Sequence, residues 1–298
     1  MHHLKDDFLA ELRAAGRSSA TIQQYSWHID QFLAWLGDKR ISELNHHDLR
    51  AWRAALFDRW QAPTIKTSIT VIRSYLRFCH QEGLCANNLS NSLKTPRIPR
   101  KVQRTLTATE IAALLRQCNT STPKGARDAA IISVLTDSGI RSAELRKLQI
   151  SDLSLQAGQL TVTRKGGNLG LAFIGATTSK RIQHWLSLRG AQPNKTLFVS
   201  LGGLTPGQPL TSRGLRIILK KLGDAAGVPG VSPHAFRRAF ALLLVEAGAP
   251  TRLIQEMGGW SDLRQVERYT RALNTAKLAH KYSSVDNLLS TSFQPPLF

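Results

Sequence analysis

The segment Lys94-Thr-Pro96-Arg97-Ile-Pro99-Arg100-Lys101-Val-Gln-Arg104 constrains the fold more than any other part of the chain. Each proline fixes its own φ and removes a backbone donor, so a helix cannot run through it. The segment carries five cations, Lys94, Arg97, Arg100, Lys101 and Arg104, and no carboxylate. It reads as a basic strap that joins two domains while lying along a phosphate backbone, the plainer alternative being a solvated linker. The predicted organisation is therefore a helical domain at 1–92, a basic linker at 93–104 and a second domain at 105–298.

The charge balance points the same way. Forty Lys and Arg against 20 Asp and Glu leave a formal charge of +20 on 298 residues. Such a surplus repels itself in a compact chain and suits a polyanionic partner. The 42% hydrophobic content is enough for a sizeable core and excludes disorder over the whole length. Cys79, Cys85 and Cys118 make neither a disulfide framework nor a metal-ligand spacing, which fits a reducing compartment. No apolar run reaches the roughly 18 residues of a membrane span, and the start Met1-His2-His3-Leu4 lacks the apolar stretch of a secretory signal. The expectation is a soluble, cytoplasmic, nucleoid-associated protein that meets nucleic acid.

Residues 1–92 read as a helical bundle. Ser18 or Ser19 caps a helix whose apolar face is Ile22, Tyr25, Ile29, Phe32, Leu33 and Leu36, stopping at Gly37. Asn45 caps the next, with Leu49, Trp52, Leu56 and Trp60 on one face as core. A third follows Pro63, turning Ile65, Ile69, Ile72, Leu76 and Cys79 inward. The second domain opens on a capping box, Thr107 to Glu110, and continues into a helix ending at Ser138-Gly139. Residues 152–175 alternate loosely through Leu153, Leu155, Leu160, Val162, Leu171, Phe173 and Ile174, with glycine turns, and predict a small antiparallel sheet. Helices resume after it. The fold class is mainly α with that one small sheet.

Common catalytic outfits are missing from the sequence. Gly-Lys never occurs, which removes the phosphate-cradling P-loop. The histidine pairs His2-His3 and His46-His47 have no ligand partners at useful spacing, and carboxylates are too scattered for a two-metal nuclease. No metal or cofactor is expected. Two segments stand out instead: Thr136-Asp-Ser-Gly139-Ile-Arg141-Ser-Ala-Glu144-Leu145, and Ser232-Pro-His234-Ala-Phe-Arg237-Arg238, where His234 and Arg237 share a helical face. Downstream come Gly258-Gly259-Trp260 and, nine positions past the tryptophan, Tyr269.

Here the sequence resembles the tyrosine recombinase (phage integrase) family, in its short two-domain Xer-like form. The family pattern is Gly-x-Arg-x-x-Glu-Leu, a hairpin Lys, His-x-x-Arg, a His or Trp after Leu-Gly, and a Tyr, and all five occur here in order. The resemblance implies a SAM-like, helical core-binding domain in front of an α+β catalytic domain. It implies catalytic roles for Arg141, Lys165, His234, Arg237, Trp260 and the nucleophile Tyr269. It also implies double-stranded DNA with specific recombination sites as partner. The assembly would be a homotetramer exchanging strands through a Holliday junction, with a second related recombinase as an option. Two guanidinium forks suit the non-bridging oxygens of a phosphodiester in transfer, since they bind bidentately where lysine does not.

The chain departs from the pattern twice: Gly167-Asn-Leu-Gly170 stands where relatives carry further Lys or Arg, and Gly258-Gly259-Trp260 replaces Leu-Gly-His. Arg213, Arg216, Lys220 and Lys221 recur along a later helix and are candidate phosphate contacts, a solvated face being the even alternative. The amphipathic segment from Thr275 to Leu289 is expected either to dock on a neighbouring subunit or to cap its own domain. Two other functions stay open on sequence: a type IB topoisomerase, which uses nearly the same residues, and a non-catalytic DNA-binding protein.

Overall fold

The computed structural model describes residues 2–85, 87–98, 104–164, 166–190, 194–202 and 205–270, with backbone alone for residue 2 and residues 268–270. The chain divides into two compact units, Met1–Lys101 and Val102–Phe298. Each holds its own apolar core.

The first unit is helical: α1 His2–Ala14, α2 Ser19–Leu36, α3 His46–Arg59 and α4 Ala62–Gln81. The caps anticipated from sequence are in place. Ser18 Oγ accepts from Thr21 N, and Asn45 Oδ1 accepts from His47 N and Asp48 N. Each satisfies donors that a helix start leaves orphaned. Gly37 ends α2. Ile29, Phe32, Trp52, Ile65, Ile69 and Tyr75 fill the core. Sequence periodicity did not register α1, whose Phe8 and Leu9 are buried in that same core. Trp60 differs from expectation: it is half-buried, its ring 5.3 Å from Trp27, which is itself 46% exposed. At the C-cap of α3 it closes the rim of the bundle while Trp52, two turns earlier, takes the interior.

The second unit starts with α5 Ala108–Arg116, where Thr107 and Glu110 cap each other reciprocally. Helix α6, Pro123–Ser138, is buried along nearly its whole length and ends at Gly139. The short α7, Ser142–Lys147, follows at once. Strands β1 Leu153–Ser154, β2 Gln159–Thr163 and β3 Leu169–Phe173 form one antiparallel sheet in the order β1-β2-β3, with Leu160 opposite Ala172 and Val162 opposite Gly170. Leu160, Val162 and Ala172 face the core, whereas Leu169, Leu171 and Phe173 alternate outward. Then come α8 Ala176–Arg189, α9 Ser212–Ala226, α10 Pro233–Glu246, α11 Thr251–Gly258 and α12 Leu263–Thr270. Helix α6 lies between α8 and α10, and α10 also packs on α11 and α12. The fold is thus mainly helical with one small antiparallel sheet.

Candidate active site

Arg237 is the hub of the second unit. Ser232 caps α10 by accepting from Ala235 N, Pro233 occupies the first turn, and Arg237 lands one turn in, only 3% exposed. Its Nη1 donates to the Gly139 carbonyl, and its Nη2 donates to the Gly258 carbonyl at 2.7 Å. Its Cζ lies 4.3 Å from the centroid of the Trp260 ring, in cation–π geometry. One guanidinium thereby ties together the turn before Arg141, helix α10 and the Gly258-Gly259-Trp260 turn. Gly139 lies 98 residues before Arg237 and Gly258 lies 21 residues after it, so no local rule would have joined them.

Arg141 is held differently. It is the N-cap residue of α7, and the Glu144 carboxylate accepts both its backbone N–H (2.7 Å) and its Nη1 (2.8 Å). Glu144 is buried, while the Arg141 side chain keeps 36% of its surface open. The arrangement fixes the root of the arginine and leaves the rest of its fork facing outward.

His234, the second residue of α10, remains exposed. Partial loss of solvation lowers its pKa below the ordinary 6.5, and the charges of Arg238, Arg237, Arg141 and Arg216 push it further the same way. Four arginines from the α7 start, α9 and α10 therefore converge electrostatically on one imidazole, which is neutral at pH 7. Such a collection of cations with a neutral base can hold an anion and accept a proton beside it. Arg216, already a candidate phosphate contact, also acts on this imidazole, and Arg238 adds a residue that the sequence candidates lacked. The Arg238 Nε donates to the Arg104 carbonyl at 2.8 Å.

Trp260 is 4% exposed, packed with Phe240, Ile254 and Val266. A Cβ on Gly258 would run into its six-membered ring. The glycine and the tryptophan that stand for the Leu and His of Leu-Gly-His thus go together: the glycine makes room for the larger ring. Tyr269 lies in α12, which packs on α10 and α11. Its side chain is outside the described residues, as is Lys165 in the β2–β3 connection.

Among the candidate phosphate contacts, Arg213, Arg216, Lys220 and Lys221 are all exposed on α9, with Lys220 paired to Asp224 at 2.6 Å. Lys94 and Arg97 are exposed in the first unit, and Arg104 is exposed in the second with its guanidinium on Glu110. Arg100 and Lys101 lie outside the described residues, as does the segment from Thr275 to Leu289.

Residues 104–275, more than half of the chain, match the Phage integrase family, and residues 6–83 match the phage integrase N-terminal SAM-like domain. The chain belongs to the phage integrase family. Tyrosine recombinase XerC of Xylella fastidiosa (strain M23) is 29% identical over 276 residues, covering 91% of this chain and 92% of the relative. A XerH site-specific recombinase bound to palindromic difH substrate, in a post-cleavage complex, shares the fold with a TM-score of 0.71 at 19% identity over 90% of this chain and 80% of that one. A lambda integrase tetramer bound to a Holliday junction does so with a TM-score of 0.72 at 17% identity over 92% and 78%.

Proposed function

We propose that this chain, a site-specific DNA recombinase by family, cuts and rejoins DNA through a 3′-phosphotyrosine at Tyr269. The observation that carries the reading is the double anchoring of Arg237 on the Gly139 and Gly258 carbonyls with its face on Trp260. That anchoring brings the arginine motifs and the turn leading to the tyrosine helix to one place.

In the proposed reaction the Tyr269 phenol oxygen attacks phosphorus, and its proton passes to neutral His234. Arg141 and Arg237 neutralise the charge that builds on the non-bridging oxygens. The P–O5′ bond breaks, and Lys165 protonates the departing 5′-oxygen. Trp260 packs behind Arg237 and sets its direction. The phosphotyrosine keeps the energy of the original ester, so attack by a 5′-hydroxyl of another strand reseals DNA without ATP. The basic strap and the exposed cations of α9 supply sequence-independent phosphate contacts.

The finer assembly is part of the same proposal: four copies on two specific DNA sites, exchanging strands in the cytoplasm through a Holliday junction, the kind of DNA to which the lambda integrase tetramer is bound. Among the described residues no helix is long and apolar enough to cross a membrane.

The test begins with host genomic DNA, from which fragments covalently bound to the protein are recovered and sequenced. A nicked duplex carrying the recovered site then traps the intermediate. Wild type should accumulate a covalent adduct and Tyr269→Phe none. An adduct that survives in Tyr269→Phe removes the nucleophile assignment, and its absence from wild type on every DNA removes the cutting reaction.

A further inference from the structure

Helix α9 turns one isoleucine away from the protein and surrounds it with positive charge. Leu215, Leu219 and Leu222 form its buried face, and the helix packs on α5 and α7. Ile217 stands two positions from both Leu215 and Leu219, and at about 100° of helix per residue that is the opposite side. It is 45% exposed. Arg213 lies one turn before it, Lys220 and Lys221 one turn after it, and Arg216 beside it in the chain, all four exposed. Gly214, the other neighbour one turn back, has no side chain to cover it. The helix has a single carboxylate, Asp224, two turns further on.

Such a ring works against the helix that carries it. Like charges one turn apart repel, and an exposed β-branched side chain supports a helix less well than alanine does. Both features suit a surface that a polyanion covers. The ring also adjoins the site, because Arg216 belongs to it and bears on His234. A duplex held at that imidazole therefore passes α9. Phosphates account for the cations but not for the isoleucine, which gains nothing from an anion. An α-helix fits the major groove, where flanking cations reach the backbones and central residues meet base edges. The apolar group that a base displays there is the thymine C5-methyl.

We propose that Ile217 is a specificity-determining residue: α9 lies in the major groove, its cations hold the phosphates on either side, and Ile217 packs on a thymine C5-methyl. This rests on the reading of the α9 cations as DNA contacts and on no step of the cutting reaction. The cations set where the helix sits, and the isoleucine favours the base pair that offers it a methyl group.

The experiment measures equilibrium binding of the full chain to uncleaved duplex. The preferred site is selected by affinity from random-sequence DNA, so the result does not depend on covalent capture, and a failure of the cutting reaction is read separately through Tyr269. Each thymine of the site is then replaced singly by deoxyuridine, which removes the methyl group and nothing else. One such replacement should weaken wild-type binding by about fourfold, the worth of one buried methyl group. Ile217→Ala should bind the unmodified site more weakly, and the same deoxyuridine should then cost it nothing further. Arg213→Ala and Lys221→Ala should weaken binding to every duplex alike, each lowering the salt slope by about one, and should keep the deoxyuridine effect. An unchanged Tm checks that Ile217→Ala is folded. A selection that yields no preferred sequence, a site in which no thymine methyl matters, or a deoxyuridine effect that persists in Ile217→Ala overturns the proposal. So does an Ile217→Ala variant that binds single sites like wild type and fails only to bring copies together, since Ile217 would then face another subunit.

Discussion

The two units bury polar groups in opposite ways. Among the described residues, the first unit buries His28, Ser68 and Ser90, none with a fixed charge, and burial lowers the His28 pKa so that it stays neutral. The second unit buries Arg127, Asp128, Glu144, Arg189 and Arg237. A buried ion costs several kcal/mol unless directional partners surround it, so its presence marks a place where a direction has to be held. Arg127 pairs with Asp128 at 2.7 Å and donates to the Val199 carbonyl at 3.0 Å, and Arg189 donates to the Thr196 carbonyl at 3.0 Å. These two fix connecting segments to the core. Glu144 and Arg237 fix the site. The first unit needs only a shape, and aliphatic and aromatic packing is sufficient for that.

The sharpest way to break this contrast is to replace Arg237 by Lys. An ammonium on a flexible stem does not reach the Gly139 and Gly258 carbonyls together while covering Trp260. Each carbonyl left unpaired costs about 1–3 kcal/mol, and losing a fork on the transferring phosphate slows cleavage by about 10²–10³-fold. Thermal melting and single-turnover cleavage should therefore fall together in Arg237→Lys. In Arg127→Lys only melting should fall. Equal cleavage rates in the two variants would mean that burying charge in this unit has nothing to do with the site.

A smaller effect is expected from the other side of the comparison. Trp52→Ala empties the centre of the first core, at a cost of about 3–5 kcal/mol. Because the chain divides into two compact units with separate cores, urea unfolding followed by tryptophan fluorescence should show the loss in one transition and leave the second in place. A single transition that moves as a whole would show that the units stand or fall together.

How much of this was legible in the sequence follows the range of the forces involved. The caps at Ser18, Asn45 and Thr107, the stop at Gly139 and the hairpin between 152 and 175 are local arrangements, and local rules found them. Helix α1 went unread because its Phe8 and Leu9 acquire meaning only against α2 and α4. In the site, the resemblance to the family's ordered motifs singled out Arg141, His234, Arg237 and Trp260. The link between Gly258 and Trp260 looked like an oddity in the motif, although it is a steric exchange between a ring and a missing Cβ.

The gentlest test uses one histidine from each unit. Both His28 and His234 have pKa values below 6.5, but for different reasons: burial alone for His28, and desolvation followed by four arginine charges for His234. A histidine with a depressed folded pKa binds fewer protons than the unfolded chain just below pH 6.5. Each therefore supports stability that is complete above 6.5 and declines as the pH falls toward its folded pKa. Salt separates the two. Exposed charges are screened over about 10 Å at 0.1 M and about 3 Å at 1 M ionic strength. In an NMR titration the His234 pKa should climb toward 6.5 as salt is raised, whereas that of His28 should hold. Phosphate binding at the site should raise it further, since an anion among the arginines reverses the sign of the local field. If both histidines respond to salt alike, the arginines do not converge on His234, and the charge-directed half of the comparison loses its clearest member.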